Sequence, residues 1–345
     1  MPPMIQDLVY YYPDGHQAHF EYGHPERPER VEVLRKALDL KGWWAPYPTI
    51  SALSLSPEFL QTVHTRRYLE LLEEACKHGA HLDMDTYTTP ASWQLALNAA
   101  GGAVAVASAV WRKEARRGFA LTRPPGHHAT AGQGMGFCLI NNIAVAAEYL
   151  IREAGARRLA IVDLDLHHGN GTQAIFWQRG DVFYISTHQS PHYPGTGTVD
   201  EVGAGPGQGA TANFPLPPGS GDLAFNEIMD GCILPLLVRH QPEMVLVSFG
   251  FDTHWRDPLG SLLLSASCYG GLIQRLASFC DEHAAGRIAL FLEGGYDMDA
   301  AVACGQAAVA GLLGLPFEDP LGPAPISENR YWTVMVRRAQ EIWNL

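Results

Sequence analysis

The feature that most constrains this chain is a series of short apolar segments separated by stretches of helical character. Five segments have the length and composition of buried strands: 118–122, 159–164, 182–187, 244–249 and 288–292. Helical character is found at 91–117, 142–154, 223–239 and 267–285. This alternation is typical of an α/β fold with a largely parallel sheet. Because the strands are apolar on both faces, we expect helices on both sides of the sheet.

Each apolar segment leads directly into a loop that is rich in His, Asp, Gly or Tyr. These loops are RPPGHHA (123–129), DLDLHHGNG (163–171), His188, GFDTH (250–254) and EGGYD (293–297). Ligands of open α/β sheets bind beyond the carboxyl ends of the strands. The sequence therefore predicts that all five loops meet at one site.

The composition favours one folded domain over residues 1–345. The chain has 345 residues, of which 47% are hydrophobic and 17% charged, so a large core is expected and extensive disorder is not. The Pro- and Gly-rich stretch 193–220 is interpreted as an elaborate loop, and apolar residues at helical spacing predict a terminal helix at about 327–345.

Charge and sequence composition also limit the partners. A net charge of −12 argues against nucleic acid, whose binding depends on Lys and Arg at phosphates. No run of eighteen apolar residues predicts a membrane helix, and no basic segment followed by an apolar one predicts a secretory signal. The six cysteines form no CxxC pair, which favours reduced thiols in the cytoplasm. A homo-oligomer is left open.

Asp165 and His167 lie two residues apart at the end of a strand, so their side chains leave on the same side. With Asp252 from another strand end, they offer two carboxylates and an imidazole. Three protein ligands and an open position are the pattern of a catalytic zinc. The alternative, that such Asp residues only cap loops, is less favoured for this combination.

His127 and His128 follow Pro124-Pro125-Gly126, which fixes their loop. Adjacent histidines can act as general base and as general acid or electrostatic partner, and Asp163 and Asn170 are candidate partners for their rings. Tyr296 follows a glycine turn and can present a phenol to an oxyanion. A surface turn for the histidines and a packing role for Tyr296 remain as alternatives.

The motifs RPPGHH (123–128), DLDLHHGNGTQ (163–173), PGTG (194–197), GFDTHWRDPLG (250–260) and LEGGYD (292–297) together resemble the histone deacetylase superfamily. That superfamily includes bacterial histone-deacetylase-like amidohydrolases, acetylpolyamine amidohydrolases and acetoin-utilisation proteins. HPERPER (24–30) is similar to its N-terminal signature. The resemblance implies the arginase/deacetylase fold, one domain with a parallel sheet of about eight strands.

The resemblance also implies roles for the site residues. One Zn²⁺ per chain would be held by Asp165, His167 and Asp252. His128 would be the general base with Asn170 behind it, and His127 would face Asp163. Tyr296 would bind the substrate carbonyl and then the oxyanion. A structural K⁺ would be bound by Asp163, Asp165, His167, Ser186 and Thr187.

A substrate tunnel is implied as well, with Arg30 lining an internal cavity below the metal. The tunnel residues would be Gly136, Phe137, Tyr193, Leu259 and, as a rim acid, Asp85. Asn170 and the LEGGY sequence resemble the class II branch. Leu259 stands where the polyamine-selective member of that branch has a glutamate, which favours an acetyl-lysine side chain.

The predicted function is zinc-dependent hydrolysis of an N-acetylated amine, above all ε-N-acetyl-lysine in proteins or peptides, with release of acetate. Three alternatives stay open: hydrolysis of acetylpolyamines or another small acylated amine, a catalytically silent acyl-lysine-binding protein, and an arginase-like dimanganese hydrolase. The aspartate-rich second metal site of the last is not found in the sequence.

Overall fold

A computed structural model describes residues 5–345 of the chain. One parallel sheet of seven strands lies at its centre, in the order β1-β2-β7-β6-β3-β4-β5. The strands are β1 Gln6–Tyr11, β2 Ala115–Ala120, β3 Leu159–Asp163, β4 Val182–Gln189, β5 Thr211–Leu216, β6 Met244–Phe249 and β7 Ile288–Leu292. The predicted single-domain α/β fold is confirmed, with seven described strands where about eight were expected.

Helices cover both faces of the sheet, as expected for strands without a polar face. They are α1 Glu29–Leu40, α2 Pro57–Leu60, α3 Arg66–His78, α4 Ser92–Trp111, α5 Asn142–Arg152, α6 Asn170–Phe176, α7 Asp222–Ile228, α8 Leu234–His240, α9 Ala266–His283, α10 Met298–Leu313 and α11 Trp332–Trp343. Alternate residues of a strand enter different cores. In β3, Ala160 and Val162 pack in the core shared with α9 and α10, whereas Leu159 and Ile161 pack in the core shared with α4 and α5.

Two helix predictions need correction. The helix expected at 91–117 ends at Trp111, because Ala115–Arg117 pairs with β1 and β7 as the start of β2. The strand expected at 118–122 therefore begins earlier and ends at Ala120. The helix expected at 223–239 is two α-helices joined by a π-helical segment, Met229–Ile233, with Pro235 in the first turn of α8.

The stretch 193–220, interpreted as a loop, contains the edge strand β5. Pro215 lies within this strand, and an edge position is where a sheet tolerates a residue without an N–H. The terminal helix is shorter than predicted and spans Trp332–Trp343.

α4 is long and apolar enough to cross a membrane by length and composition alone, which the sequence interpretation did not recognise. In this fold 78% of its apolar window is buried, against β1, β2 and α5. The helix therefore has the environment of a core helix.

Candidate active site

Four of the five predicted loops, those that follow β2, β3, β6 and β7, meet at the carboxyl edge of the sheet. The fifth was expected at His188, but this residue lies within β4, which extends to Gln189. Two hydrogen bonds join three of the four loops. Gly294 N–H donates to Asp165 Oδ2 at 2.8 Å, and Leu166 N–H donates to Asp252 Oδ1 at 3.0 Å. The strand order places β7, β6 and β3 side by side, so these contacts follow from the topology.

Asp165, His167 and Asp252 form a compact group of potential metal ligands. One oxygen or nitrogen of each lies within 4.8 Å of the others, and His167 Nδ1 is 3.2 Å from both Asp165 Oδ1 and Asp252 Oδ2. Two donors about 2.0–2.2 Å from a tetrahedral zinc ion would lie roughly 3.3–3.6 Å apart. Asp252 Oδ2 is buried, and its 3.2 Å contact with His167 Nδ1 does not have the geometry of a hydrogen bond, so no described residue satisfies this oxygen. The donor set and this orphaned oxygen fit a bound cation.

The charges of this group are dominated by carboxylates. Burial alone would lower the pKa of His167, but Asp165 and Asp252 raise it to about 9. Burial raises the pKa of Asp252, and the neighbouring Asp165 raises it further. The group is therefore short of positive charge, which a divalent cation would supply.

The two adjacent histidines have different partners and different charge states. His127 Nδ1 lies 3.1 Å from Asp163 Oδ2, and His128 Nδ1 lies 2.8 Å from Asn170 Oδ1. Burial would lower the pKa of His127, but Asp165 and Asp163 raise it well above its usual value. Burial lowers the pKa of His128 far below its usual value, and the charge of His127 lowers it further. These surroundings favour an imidazolium at His127 and a neutral imidazole at His128.

The bond to Asn170 also fixes the tautomer of His128. Asn170 Oδ1 accepts, so Nδ1 of His128 carries the proton and Nε2 keeps its lone pair. A Cβ added to Gly136 would lie 2.5 Å from Cδ2 of this ring. Only glycine therefore allows the chain to pass so close to His128.

Tyr296 lies above the guanidinium of Arg30, whose Cζ is 4.9 Å from the centre of the phenol ring. The same Arg30 is fully buried, and it donates to Gly295 O at 2.5 Å and Glu293 O at 2.5 Å. Burial raises the pKa of Tyr296 well above its usual value, so the phenol keeps its proton and can donate it in a hydrogen bond. Arg30 thus supports the glycine turn that presents Tyr296.

A cavity of about 370 Å³ leads from the surface to this group, and all five predicted tunnel residues line it: Asp85, Gly136, Phe137, Tyr193 and Leu259. His128, His167 and Tyr296 line it as well. Phe137 has a left-handed backbone with φ of 68°, a strained conformation for a bulky residue. Its N–H donates to Thr86 Oγ1 at 3.1 Å, which holds this wall in place.

Three of the five predicted potassium ligands, Asp163, Ser186 and Thr187, lie close together on β3 and β4. Asp163 of β3 pairs in register with Ser186 of β4, and Thr187 Oγ1 lies 3.4 Å from Asp163 O. Ser186 Oγ contacts His188 Nδ1 at 2.9 Å. Binding of K⁺ by this group stays a prediction.

Several contributors were missed from the sequence. His24, Pro25 and His192 line the cavity, and the His192 ring stacks on His167 with centroids 5.0 Å apart. Glu293 accepts the N–H groups of Gly126 and His127 at 2.7 and 3.1 Å. The LEGGY motif names this glutamate, but nothing in the motif indicates that it holds the histidine loop.

The HPERPER segment supplies a second buried cluster, which was not predicted either. The Glu26 carboxylate accepts hydrogen bonds from Arg123 Nε at 2.7 Å and Arg123 Nη2 at 3.0 Å. It also accepts one from Arg30 Nη1 at 3.1 Å. All three side chains are fully buried. Burial would raise the pKa of Glu26, but the two arginines lower it to about 2.

Comparison with known proteins agrees with this geometry. The histone deacetylase domain matches residues 24–312. The chain is 41% identical to a probable deacetylase of Archaeoglobus fulgidus over 281 residues, 81% of this chain and 78% of that protein. It is 38% identical to a histone deacetylase-like amidohydrolase of Pseudomonas aeruginosa over 303 residues, 87% of this chain and 80% of that protein.

The fold is similar to the crystal structure of the HDA15 HD domain, with a TM-score of 0.89 and 32% identity over 98% of this chain and 95% of that one. An α/β sheet with this set of loops defines a hydrolase of the deacetylase and amidohydrolase type. The chain belongs to the histone deacetylase family, which confirms the resemblance.

Proposed function

We propose that this protein is a zinc-dependent deacetylase that hydrolyses ε-N-acetyl-lysine in proteins or peptides and releases acetate. The observation that carries the proposal is the buried group of Asp165, His167 and Asp252, with the orphaned Asp252 Oδ2, at the base of a cavity that His128 and Tyr296 line. Membership of the class II branch, a structural K⁺ and a cytoplasmic location belong to the same proposal.

Asp165, His167 and Asp252 would hold the zinc ion. When bound, zinc would polarise the acetyl carbonyl and lower the pKa of a water molecule. His128 Nε2 would accept a proton from the attacking water, because the lowered pKa leaves this nitrogen unprotonated and Nδ1 is committed to Asn170.

Tyr296 would donate its phenolic hydrogen bond to the substrate carbonyl and then to the oxyanion. The imidazolium of His127, paired with Asp163, would stabilise negative charge beside the reacting carbon. As the C–N bond breaks, a histidine would donate a proton to the leaving amine. The products would be the free amine and acetate.

The proposal is tested with His128→Ala and Tyr296→Phe on an acetyl-lysine peptide. Both variants should lower kcat by roughly 10²-fold or more with zinc content unchanged, since each removes one proton-transfer or oxyanion group. His78→Ala and Tyr331→Phe are matched controls, because His78 at the end of α3 and Tyr331 just before α11 are both exposed and neither lines the cavity. Activity within a few-fold of wild type in both active-site variants would contradict the mechanism.

Acetylpolyamines remain the second candidate substrate, because Asp85 places a carboxylate at the cavity where a cationic amine could bind. Leu259 argues for acetyl-lysine, since it gives the wall an apolar side chain instead of a second carboxylate. Comparing an acetyl-lysine peptide with acetylputrescine and acetylspermidine decides between them. Leu259→Glu should shift the preference towards the polyamines, and a wild-type preference for them would contradict the proposal.

A further inference from the structure

We propose that the mouth of this cavity binds the polypeptide residues on either side of the acetylated lysine, through a collar formed by Tyr22, Met84, Asp83 and Asp85. This inference rests on the proposed deacetylase function. It adds the class of substrate: a polypeptide that carries apolar and cationic side chains next to the acetyl-lysine.

Two surface segments form the collar, and both reach the cavity. His24 and Asp85 line the cavity, and His24 Nε2 lies 3.0 Å from Asp85 O. A second contact joins His81 Nε2 to Glu21 Oε2 at 2.7 Å. Tyr22 is two residues from His24, and Met84 is next to Asp85, so both lie within about 7 Å of chain from a lining residue.

The collar carries the two most exposed large hydrophobic side chains of the part of the chain that the structure describes, Met84 at 99% and Tyr22 at 94%. Single exposed apolar residues are common on protein surfaces. Here, however, each of the two stands one or two residues along the chain from a residue that lines the cavity, Asp85 or His24. Such a concentration indicates a contact surface.

The turn that carries Met84 is fixed. Asp83 Oδ1 accepts the N–H of Asp85 at 3.2 Å and that of Thr86 at 2.7 Å, so the chain on both sides of Met84 is held. Thr86 in turn accepts the N–H of the tunnel residue Phe137. Met84 is therefore presented outwards by a turn that is tied to the tunnel wall. A flexible thioether can pack against side chains of different shape.

The charge of the collar specifies the occupant further. The two segments carry the carboxylates of Glu21, Asp83 and Asp85, in addition to the buried Glu26. The basic residues that border them, Arg27 and Lys77, each lie beside an acid of their own, Glu29 and Glu73. A polyamine would match the negative charge but has no side chain for Tyr22 and Met84. A polypeptide with an apolar and a basic residue beside the acetyl-lysine matches both properties.

The test compares three substrates on the zinc-loaded enzyme. Two are peptides whose acetyl-lysine is flanked by Leu and Arg in one and by Gly and Ser in the other. The third is ε-N-acetyl-lysine methylamide, which has no flanking residues. The wild type should prefer the Leu/Arg peptide over the methylamide by about tenfold or more in kcat/KM. The double variant Tyr22→Ser/Met84→Ser should lose most of this preference through KM, with hydrolysis of the methylamide within twofold of wild type.

A matched control is Tyr331→Ser/Val334→Ser, since these side chains are 77% and 72% exposed at the terminal helix. This control variant should leave kcat/KM unchanged for all three substrates. Three results would each overturn the proposed role of the collar. The double variant could lose kcat/KM equally on the methylamide and the Leu/Arg peptide. The wild type could show no preference between the two peptides, or could prefer acetylspermidine. Absence of turnover on every acetylated amine would instead overturn the proposed function itself.

A separate set of contacts supports a second inference: we infer that Asp257 is a positioning residue for Tyr296. Its carboxylate is 5% exposed, and Oδ2 accepts the N–H of Tyr296 at 2.6 Å and that of Asp297 at 3.3 Å. Oδ1 accepts the N–H of Leu259 at 3.0 Å. One side chain thus fixes both the turn that presents the phenol and a wall of the cavity.

Asp257→Asn keeps the size but replaces one acceptor oxygen with an NH₂ group that would face a backbone N–H. If Asp257 acts through Tyr296, this change should lower kcat about tenfold in the wild-type background and less than twofold in the Tyr296→Phe background. Zinc content should be unchanged in all variants. Asp257→Glu, which keeps both acceptors, should recover part of the activity.

If Asp257→Asn lowers kcat by the same factor in the wild-type and Tyr296→Phe backgrounds, the inference is wrong. The loss of activity would then not depend on the phenol of Tyr296. If Asp257→Asn does not fold, Asp257→Glu carries the same double-mutant comparison, with the same expected dependence on Tyr296.

Discussion

Two buried charged clusters lie near the same edge of the sheet and differ in how their charge is balanced. Glu26 is surrounded by Arg30 and Arg123, and its carboxylate has a partner at both oxygens. In the other cluster, Asp165 and Asp252 share the imidazole of His167, and Asp252 Oδ2 forms no hydrogen bond with any described residue. The first cluster is complete within the protein, whereas the second has room for an external cation.

The difference shows how a structural ion cluster can be distinguished from a functional one. Buried charges are tolerated when they are paired and hydrogen-bonded. The pKa of Glu26 is held at about 2 by its arginines, although burial opposes this, whereas burial and Asp165 raise the pKa of Asp252. The same type of side chain thus stabilises the fold in one cluster and strains it in the other.

The largest expected effect comes from Asp252→Asn. The variant should lose zinc binding and about 10³-fold or more of the deacetylase activity, because a ligand is gone. In the metal-free state it should be at least as stable as metal-free wild type, since one of two close carboxylates has been neutralised. Metal analysis and urea unfolding measure both quantities, and a marked loss of metal-free stability would break the comparison.

Glu26→Gln should have the opposite effect on stability. It leaves two buried guanidinium groups without their counter-charge, which should lower the free energy of unfolding by about 3–5 kcal/mol. Urea unfolding at pH 7 measures this loss of unfolding free energy, and added zinc should not restore the lost stability. Arg66→Ala, in an exposed pair with Glu70, is the matched control and should be nearly neutral. A neutral result for Glu26→Gln would show that this cluster does not hold the fold.

Acid should remove the difference between wild type and Glu26→Gln. The folded-state pKa of Glu26 is about 2 and its usual value is 4.5. A lowered pKa stabilises the fold above the unfolded-state value, and this stabilisation is lost as the pH falls towards the folded-state value. A pKa shift of this size corresponds to about 3 kcal/mol of unfolding free energy. Unfolding curves of both proteins from pH 6 to pH 2.5 should therefore converge, and a constant gap would contradict the assignment.

The smallest effect expected is that of Arg123→Lys. Lysine keeps the positive charge but loses the two-pronged contact with Glu26 and one of the contacts with the carbonyls of His16 and His19. A loss of about 1–3 kcal/mol in unfolding free energy is expected, with zinc binding retained. A loss as large as that of Glu26→Gln would mean that geometry, not charge, dominates this cluster.

The sequence predicted the second cluster but not the first. Asp165, His167 and Asp252 follow buried strands, and parallel strands bring their carboxyl ends to one edge, so topology alone places them together. β6 and β7 were predicted to the residue because their apolar runs have clear borders, Glu243 and Gly250 for β6 and Arg287 and Glu293 for β7.

The pairing of Glu26 with Arg123 joins residues 97 positions apart, from a loop and a strand end, and depends on packing that no local pattern records. The same applies to Asp257 and Glu293, whose carboxylates bind backbone N–H groups of other loops. β5 was missed because TANFPL contains polar residues and a proline, which indicate a loop in isolation.

The central claim is that this group of carboxylates and imidazole requires a zinc ion for acetyl-lysine hydrolysis. The most direct measurement is titration of metal-free protein with zinc, following bound metal and turnover of an acetyl-lysine peptide in the same samples. The account predicts that activity rises in proportion to zinc and saturates at one ion per chain. Full turnover by the metal-free protein, or saturation at two ions per chain, would contradict it.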